Sequence, residues 1–74
     1  MTKKKEPPPV YEMEIEGLGV VKTGDKLKHP VFGKGVAEEM YIWESGERVI
    51  RVLFNDHGSK ALVPEYAKLK RRLW

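Results

Sequence analysis

The segment that most constrains this chain is Gly24-Asp25-Lys26-Leu27-Lys28-His29-Pro30-Val31-Phe32-Gly33-Lys34-Gly35. Gly24-Asp25 is a tight-turn pair, because glycine reaches positive φ without a Cβ penalty and aspartate hydrogen-bonds the backbone that follows it. A strand can begin directly after it. Lys26-Leu27-Lys28 sets one apolar side chain between two charged ones, the two-residue period of a strand with one wet face. Pro30 supplies no N–H and holds His29 extended, so regular pairing stops there. Val31 and Phe32 are then predicted to go inward. Gly33 and Gly35 let the backbone fold back over them, and a second strand can start at Val36.

The rest of the chain continues as short strands. Val10 to Glu16 alternates strictly, with Tyr11, Met13 and Ile15 on one side and Glu12, Glu14 and Glu16 on the other. That pattern predicts an added N-terminal strand. Gly17-Leu18-Gly19 breaks it, and Val20 to Thr23 lead into the central hairpin. From Val36 to Trp43 the alternation is irregular: Val36, Met40 and Ile42 share one parity, Ala37, Tyr41 and Trp43 the other. Glu44 to Glu47 is a hairpin loop. Arg48 to Phe54 is the clearest strand, with Ile50, Val52 and Phe54 inward and Arg51 outward. Asn55 to Gly58 turn the chain into a short strand at Lys60 to Val63, and Pro64-Glu65-Tyr66 suits a 3₁₀ turn before Lys68-Leu69-Lys70. Closely spaced short strands of this kind predict an all-β, five-stranded SH3/Tudor-like barrel over residues 23–70. A further strand segment over 10–22, a Pro-rich basic arm over 1–9 and a basic tail over 71–74 complete the expected organisation.

At 74 residues the chain is one small domain, whose core supplies only about 3–5 kcal/mol without a staple. Cysteine is absent, so neither a disulfide nor a thiolate zinc site can add one. No apolar run approaches the roughly 18–20 residues that span a bilayer, and a cytoplasmic location is the expectation. The net charge of +3 is unevenly placed. Residues 1–22 balance, residues 23–67 carry six cations against seven acids, and the excess falls on Lys68, Lys70, Arg71 and Arg72.

Catalytic chemistry finds no foothold in the sequence. His29 and His57 have no nucleophile in a strand-turn-helix setting. Asp25, His29, Asp56 and His57 lack zinc-type spacing, and Glu38 and Glu39 face opposite ways on a strand. Neither an enzyme nor a cofactor is expected. Binding is better provided for. With Arg51 outward, Tyr41, Trp43 and Lys60 can gather beside it, and Trp, Tyr and Arg are the side chains that anchor interfaces. Trp43 has a second option, packing under the Ser45-Gly46 hairpin or against the N-terminal strand. An aromatic cage for a methylated lysine needs several converging rings, and Phe32 is expected in the core instead. An alternative ligand is nucleic acid, held by Lys34, Arg51, Lys60 and the tail cations Lys68, Lys70, Arg71 and Arg72, with Trp74 for stacking.

Gly24, Asp25, Leu27, His29, Phe32, Gly33 and Gly35 fill a G-D-x-[VL]-x-H-x-x-[FW]-G-x-G pattern. In this the chain resembles the small Tudor-like domain at the C-terminus of UvrD/PcrA-type DNA helicases, and the likeness runs from Gly24 to Leu69. A weaker likeness, through the Gly-Asp and His-Pro-x-x-Gly-x-Gly portions, extends to the RNA-polymerase-interacting domain of CarD and of the transcription-repair coupling factor. The resemblance implies a barrel in which Gly24, His29, Phe32, Gly33 and Gly35 are structural, with a His29 ring nitrogen bound to loop backbone. It also implies Ala37 and Met40 as inward positions separated by a bulge. The partner class it implies is RNA polymerase or a DNA-repair or transcription assembly, docked through Lys34, Tyr41, Trp43, Arg51 and Lys60. The resembled domain trails a helicase motor that this sequence lacks.

Overall fold

A computed structural model describes residues 7–72. Seven strands and one helical turn follow in the order β1 (Glu12–Ile15), β2 (Gly19–Lys22), β3 (Lys26–His29), β4 (Gly33–Ile42), β5 (Arg48–Phe54), β6 (Gly58–Leu62), α1 (Pro64–Ala67) and β7 (Lys70–Arg71). They form a two-stranded β1-β2 ladder and a five-stranded sheet in the order β6-β5-β4-β3-β7. Every pairing is antiparallel. The end strands β6 and β7 do not pair with each other, so the hydrogen-bonded sheet is open. No helix among the described residues is long and apolar enough to cross a membrane.

The inward side chains of these strands form one core. Leu27, Ala37, Met40, Ile50, Val52 and Phe54 come from the large sheet, Met13, Ile15 and Val21 from the small one, and Leu69 from the segment before β7. The two sheets therefore bury a shared interior, and the N-terminal ladder supplies part of it.

The central hairpin follows its sequence closely. Gly24 and Gly33 both adopt positive φ, at 95° and 81°. Asp25 accepts the Lys22 N–H, and β3 runs Lys26 to His29 with only Leu27 fully buried. The His29 ring closes the loop: its Nδ1 accepts the N–H groups of Val31 at 2.9 Å and Phe32 at 3.1 Å. Phe32 stacks on that imidazole at 4.6 Å between centroids and packs against the core. Replacing His29 with leucine strands both donors, and we expect a loss of about 1–2 kcal/mol, read as a lower urea midpoint. The bulge between Ala37 and Glu39 leaves Ala37 and Met40 both buried, as the resemblance implied.

Several expectations need correction. Val31 is 73% exposed, so Phe32 alone turns inward; Val31 sits in the turn that the His29 ring holds. Tyr11 is 76% exposed and does not share a face with Met13 and Ile15. The cause is a bend: Val10 pairs with Met40 of β4, and the chain then switches at Tyr11 to pair with β2. Residues 10–22 hold two strands instead of one, because Gly17-Leu18-Gly19 forms a hairpin turn and Gly19–Lys22 returns along β1. The second main strand begins at Gly33, the short one spans Gly58–Leu62, and Pro64–Ala67 is a single α-helical turn closed by Lys68 at φ 56°. Pro7 to Pro9 form no strand. The remainder of the arm, together with Leu73 and Trp74, lies outside the described residues.

Candidate functional site

The outer face of the large sheet is where exposed side chains of different strands meet, and its register decides which ones. Across β3, β4, β5 and β6 one row reads Lys26, Val36, Leu53, Ser59, and a second, beyond the bulge, reads Glu39, Arg51, Ala61. Leu53 is 47% exposed beside the half-buried Val36. Arg51 lies 3.9 Å from Glu39, with both side chains well exposed, so the pair is screened and contributes little to folding. Glu38 accepts the Ser59 hydroxyl at 2.8 Å. The middle of this face is thus a small apolar strip edged by a guanidinium and two carboxylates.

Of the predicted anchors, Arg51 falls on this strip, and Lys60 is a correction: it is half-buried and pairs with inward-facing Val52, which puts it on the other face of the sheet from Arg51. Lys60 Nζ stands 5.5 Å from the centroid of the Phe32 ring, which ties it to the end of the sheet where Phe32, Phe54 and His57 meet. Tyr41 is a correction: at 9% exposure it is covered, although it stands on the Glu39 face of β4 and outside the core cluster. Met40 and Tyr41 are consecutive and both buried, so β4 is covered on both faces there. Trp43 is half-buried at the hairpin, where its N–H donates to the Glu47 carbonyl and its own carbonyl accepts from Gly46. Lys34 is exposed, at the β3 end of β4.

The predicted basic tail is also redistributed. Arg71 is exposed but not free. Its guanidinium donates to the Leu18 carbonyl at 2.9 Å, to the Val20 carbonyl, and to the Asp25 carboxylate at 3.2 Å, tying β7 to the N-terminal ladder. Arg72 donates to the Gly35 carbonyl at 3.2 Å, and its Nε is buried without a partner. Lys68 and Lys70 are exposed as well, with no carboxylate ion pair among the described residues.

Asp25 joins two of these features. The Lys22 backbone N–H, and after it Arg71, holds its carboxyl below the ordinary value of 3.8. A carboxyl lowered in the folded state contributes stability above its unfolded value and loses it as pH falls through the folded one. We therefore expect Asp25→Asn to lower the urea midpoint near neutral pH. The gap from wild type should shrink once the pH drops below about 4.

Two features of this face escape the sequence expectations, and only the first is legible in the sequence. An outward Leu53 follows from the inward parity of Ile50, Val52 and Phe54, and a leucine on the wet side of the best strand is a binding signal in itself. The alignment of lysines across β4, β3 and β7 needed the strand register. No protein-family model matches the sequence, and neither does any curated protein.

Proposed function

We propose that the chain is a non-catalytic interaction module, a small SH3/Tudor-like barrel that docks on RNA polymerase or on a DNA-repair or transcription assembly. The observation that carries it is the outer strip, where exposed Leu53 lies next to Val36 and two residues from Arg51 on the same face. An aliphatic centre flanked by a guanidinium is the composition of an interface anchor. The barrel is supported by the strand order, in which β7 returns to lie against β3, the first strand of the β3-β4-β5-β6 meander. The β1-β2 ladder adds Met13, Ile15 and Val21 to the core that the large sheet encloses. The partner class comes from the resemblance of Gly24 to Leu69 to the helicase and CarD-type domains.

The revised anchors are Leu53 and Arg51 at the centre, with Trp43 at the margin; Lys60, paired with inward-facing Val52, is no longer among them. The test is binding of purified RNA polymerase core by wild type, Leu53→Asp and Arg51→Ala, each first checked for native circular dichroism. We expect Leu53→Asp to weaken binding at least ten-fold, about 1.4 kcal/mol, with a smaller loss for Arg51→Ala. Absence of binding by wild type, or equal binding by folded Leu53→Asp, overturns the proposal.

A further inference from the structure

Lys34, Lys28 and Lys70 are directly opposite one another on three adjacent strands: Lys28 of β3 pairs with Lys34 of β4 on one side and with Lys70 of β7 on the other. All three are exposed, and Lys26 lies two residues before Lys28 on the same face. Neighbouring strands are about 4.8 Å apart, so the row spans about 10 Å between its outer Cα atoms. Like charges placed directly opposite each other destabilise a sheet. Among the described residues no carboxylate lies within 4.0 Å of any of these four ammonium groups, since the ion pairs are Arg51–Glu39 and Arg71–Asp25. Three carboxylates of β4 and of the turn before β3 are engaged elsewhere, Asp25 by Lys22 and Arg71, Glu38 by Ser59 and Glu39 by Arg51.

An uncompensated row of ammonium groups on a rigid sheet costs folding energy that an external polyanion would return. The geometry points to this row as a binding face for the phosphate backbone of duplex DNA. Duplex DNA presents about one negative charge per 1.7 Å of axis, and lysines that neutralise phosphates release its condensed counterions. Single strands are held by stacking on aromatic rings as well as by charge. The register neighbours of the row on its own face are Lys26, Val36 and Leu53, none of them aromatic. Among the described residues the row therefore offers charge without a stacking platform beside it, and backbone recognition of a duplex is the mode that needs none. It does not rest on the docking function proposed above: the lysines occupy the β4-β3-β7 part of the sheet, whereas Leu53 and Arg51 lie on β5.

The test is fluorescence anisotropy of a labelled duplex of about 20 base pairs, titrated with the full chain over a range of salt concentrations. Two triple variants remove the same charge: Lys28→Gln/Lys34→Gln/Lys70→Gln from the row, and Arg51→Gln/Lys60→Gln/Lys68→Gln from elsewhere. We expect the row variant to bind at least ten-fold more weakly. The slope of log K against log salt should shrink by about three for it, one per lost phosphate contact. The other variant should stay within about two-fold of wild type, a difference that net charge alone cannot produce. The row variant should also keep or raise its urea midpoint, because a repulsion has been removed. Lys28→Gln alone, the central member, should reduce the slope by about one. No salt-sensitive binding by wild type, equal losses in the two triple variants, or tighter binding of a single strand of equal length overturns the inference.

Discussion

Gly35→Ala is expected to leave little folded protein at room temperature. A Cβ built on Gly35 would lie 2.7 Å from Val52 Cγ1, 2.8 Å from the Leu53 carbonyl oxygen and 2.8 Å from Phe54 Cδ1. Two of those neighbours are side-chain atoms with some freedom, but the third is backbone inside the β4-β5 ladder, where Gly35 pairs with Phe54 and Val36 with Leu53. Relief requires the two central strands to move apart. Overpacking of this kind costs about 1–3 kcal/mol and occasionally more, and the upper end applies where a carbonyl is struck. Against a total of about 3–5 kcal/mol for a domain this small, that is most of its stability. Gly33→Ala is the comparison. It meets nothing within 4 Å and is penalised only for its φ of 81°, at about 1–2 kcal/mol. Urea unfolding followed by circular dichroism should show Gly33→Ala with a reduced midpoint and Gly35→Ala with little or no native baseline. A Gly35→Ala midpoint equal to that of Gly33→Ala would mean that parting the strands costs no more than the φ penalty at Gly33.

The difference between these glycines shows what was legible in the sequence. Gly24, Gly33 and the His29 loop were readable because their determinants are local: a turn, a proline, and a ring two and three residues from the N–H groups it binds. The inward set Ile50, Val52 and Phe54 was readable because β5 is regular. Tyr41 was not, since the bulge at Ala37/Glu39 upsets parity and burial of both Met40 and Tyr41 is decided by what covers β4. Gly19–Lys22 escaped because Val20 and Val21 do not alternate with polar residues; only pairing with β1 makes them a strand. The charge distribution was the least legible. Summed along the chain, cations and acids nearly cancel before Lys68. Folding separates them, sending Arg71 to the N-terminal ladder and bringing Lys70 beside Lys28, 42 positions earlier. Cross-strand register is a property of the whole sheet, and no local window contains it.

Phe54→Ala should abolish cooperative unfolding altogether. Phe54 is fully buried at the end of β5, opposite Gly35 on one side and Gly58 on the other, so no neighbouring Cβ on either strand can fill the space its ring leaves. Its ring lies 5.3 Å from that of Phe32 and 5.9 Å from the His29 imidazole. Phe32 and His29 form the loop that turns β3 into β4, and Phe54 is the floor on which that loop rests. Removal of a buried phenylalanine costs about 3–5 kcal/mol, comparable to everything a chain of this size has. Phe54→Leu keeps most of the apolar volume and should retain a transition, lowered by about 1–2 kcal/mol. It also replaces the ring's Cδ1, one of the three atoms that a Cβ at position 35 would strike, with a methyl group that can rotate away, leaving Val52 Cγ1 and the Leu53 carbonyl in place. Combined with Gly35→Ala it should therefore recover only part of that loss, with a coupling energy of about 0.5–1 kcal/mol in a double-mutant cycle. Strict additivity would show that the Leu53 carbonyl and Val52 alone set the cost at Gly35. Full recovery would make the Phe54 ring its single determinant, and the close approach of β4 to β5 would then be a matter of one side chain.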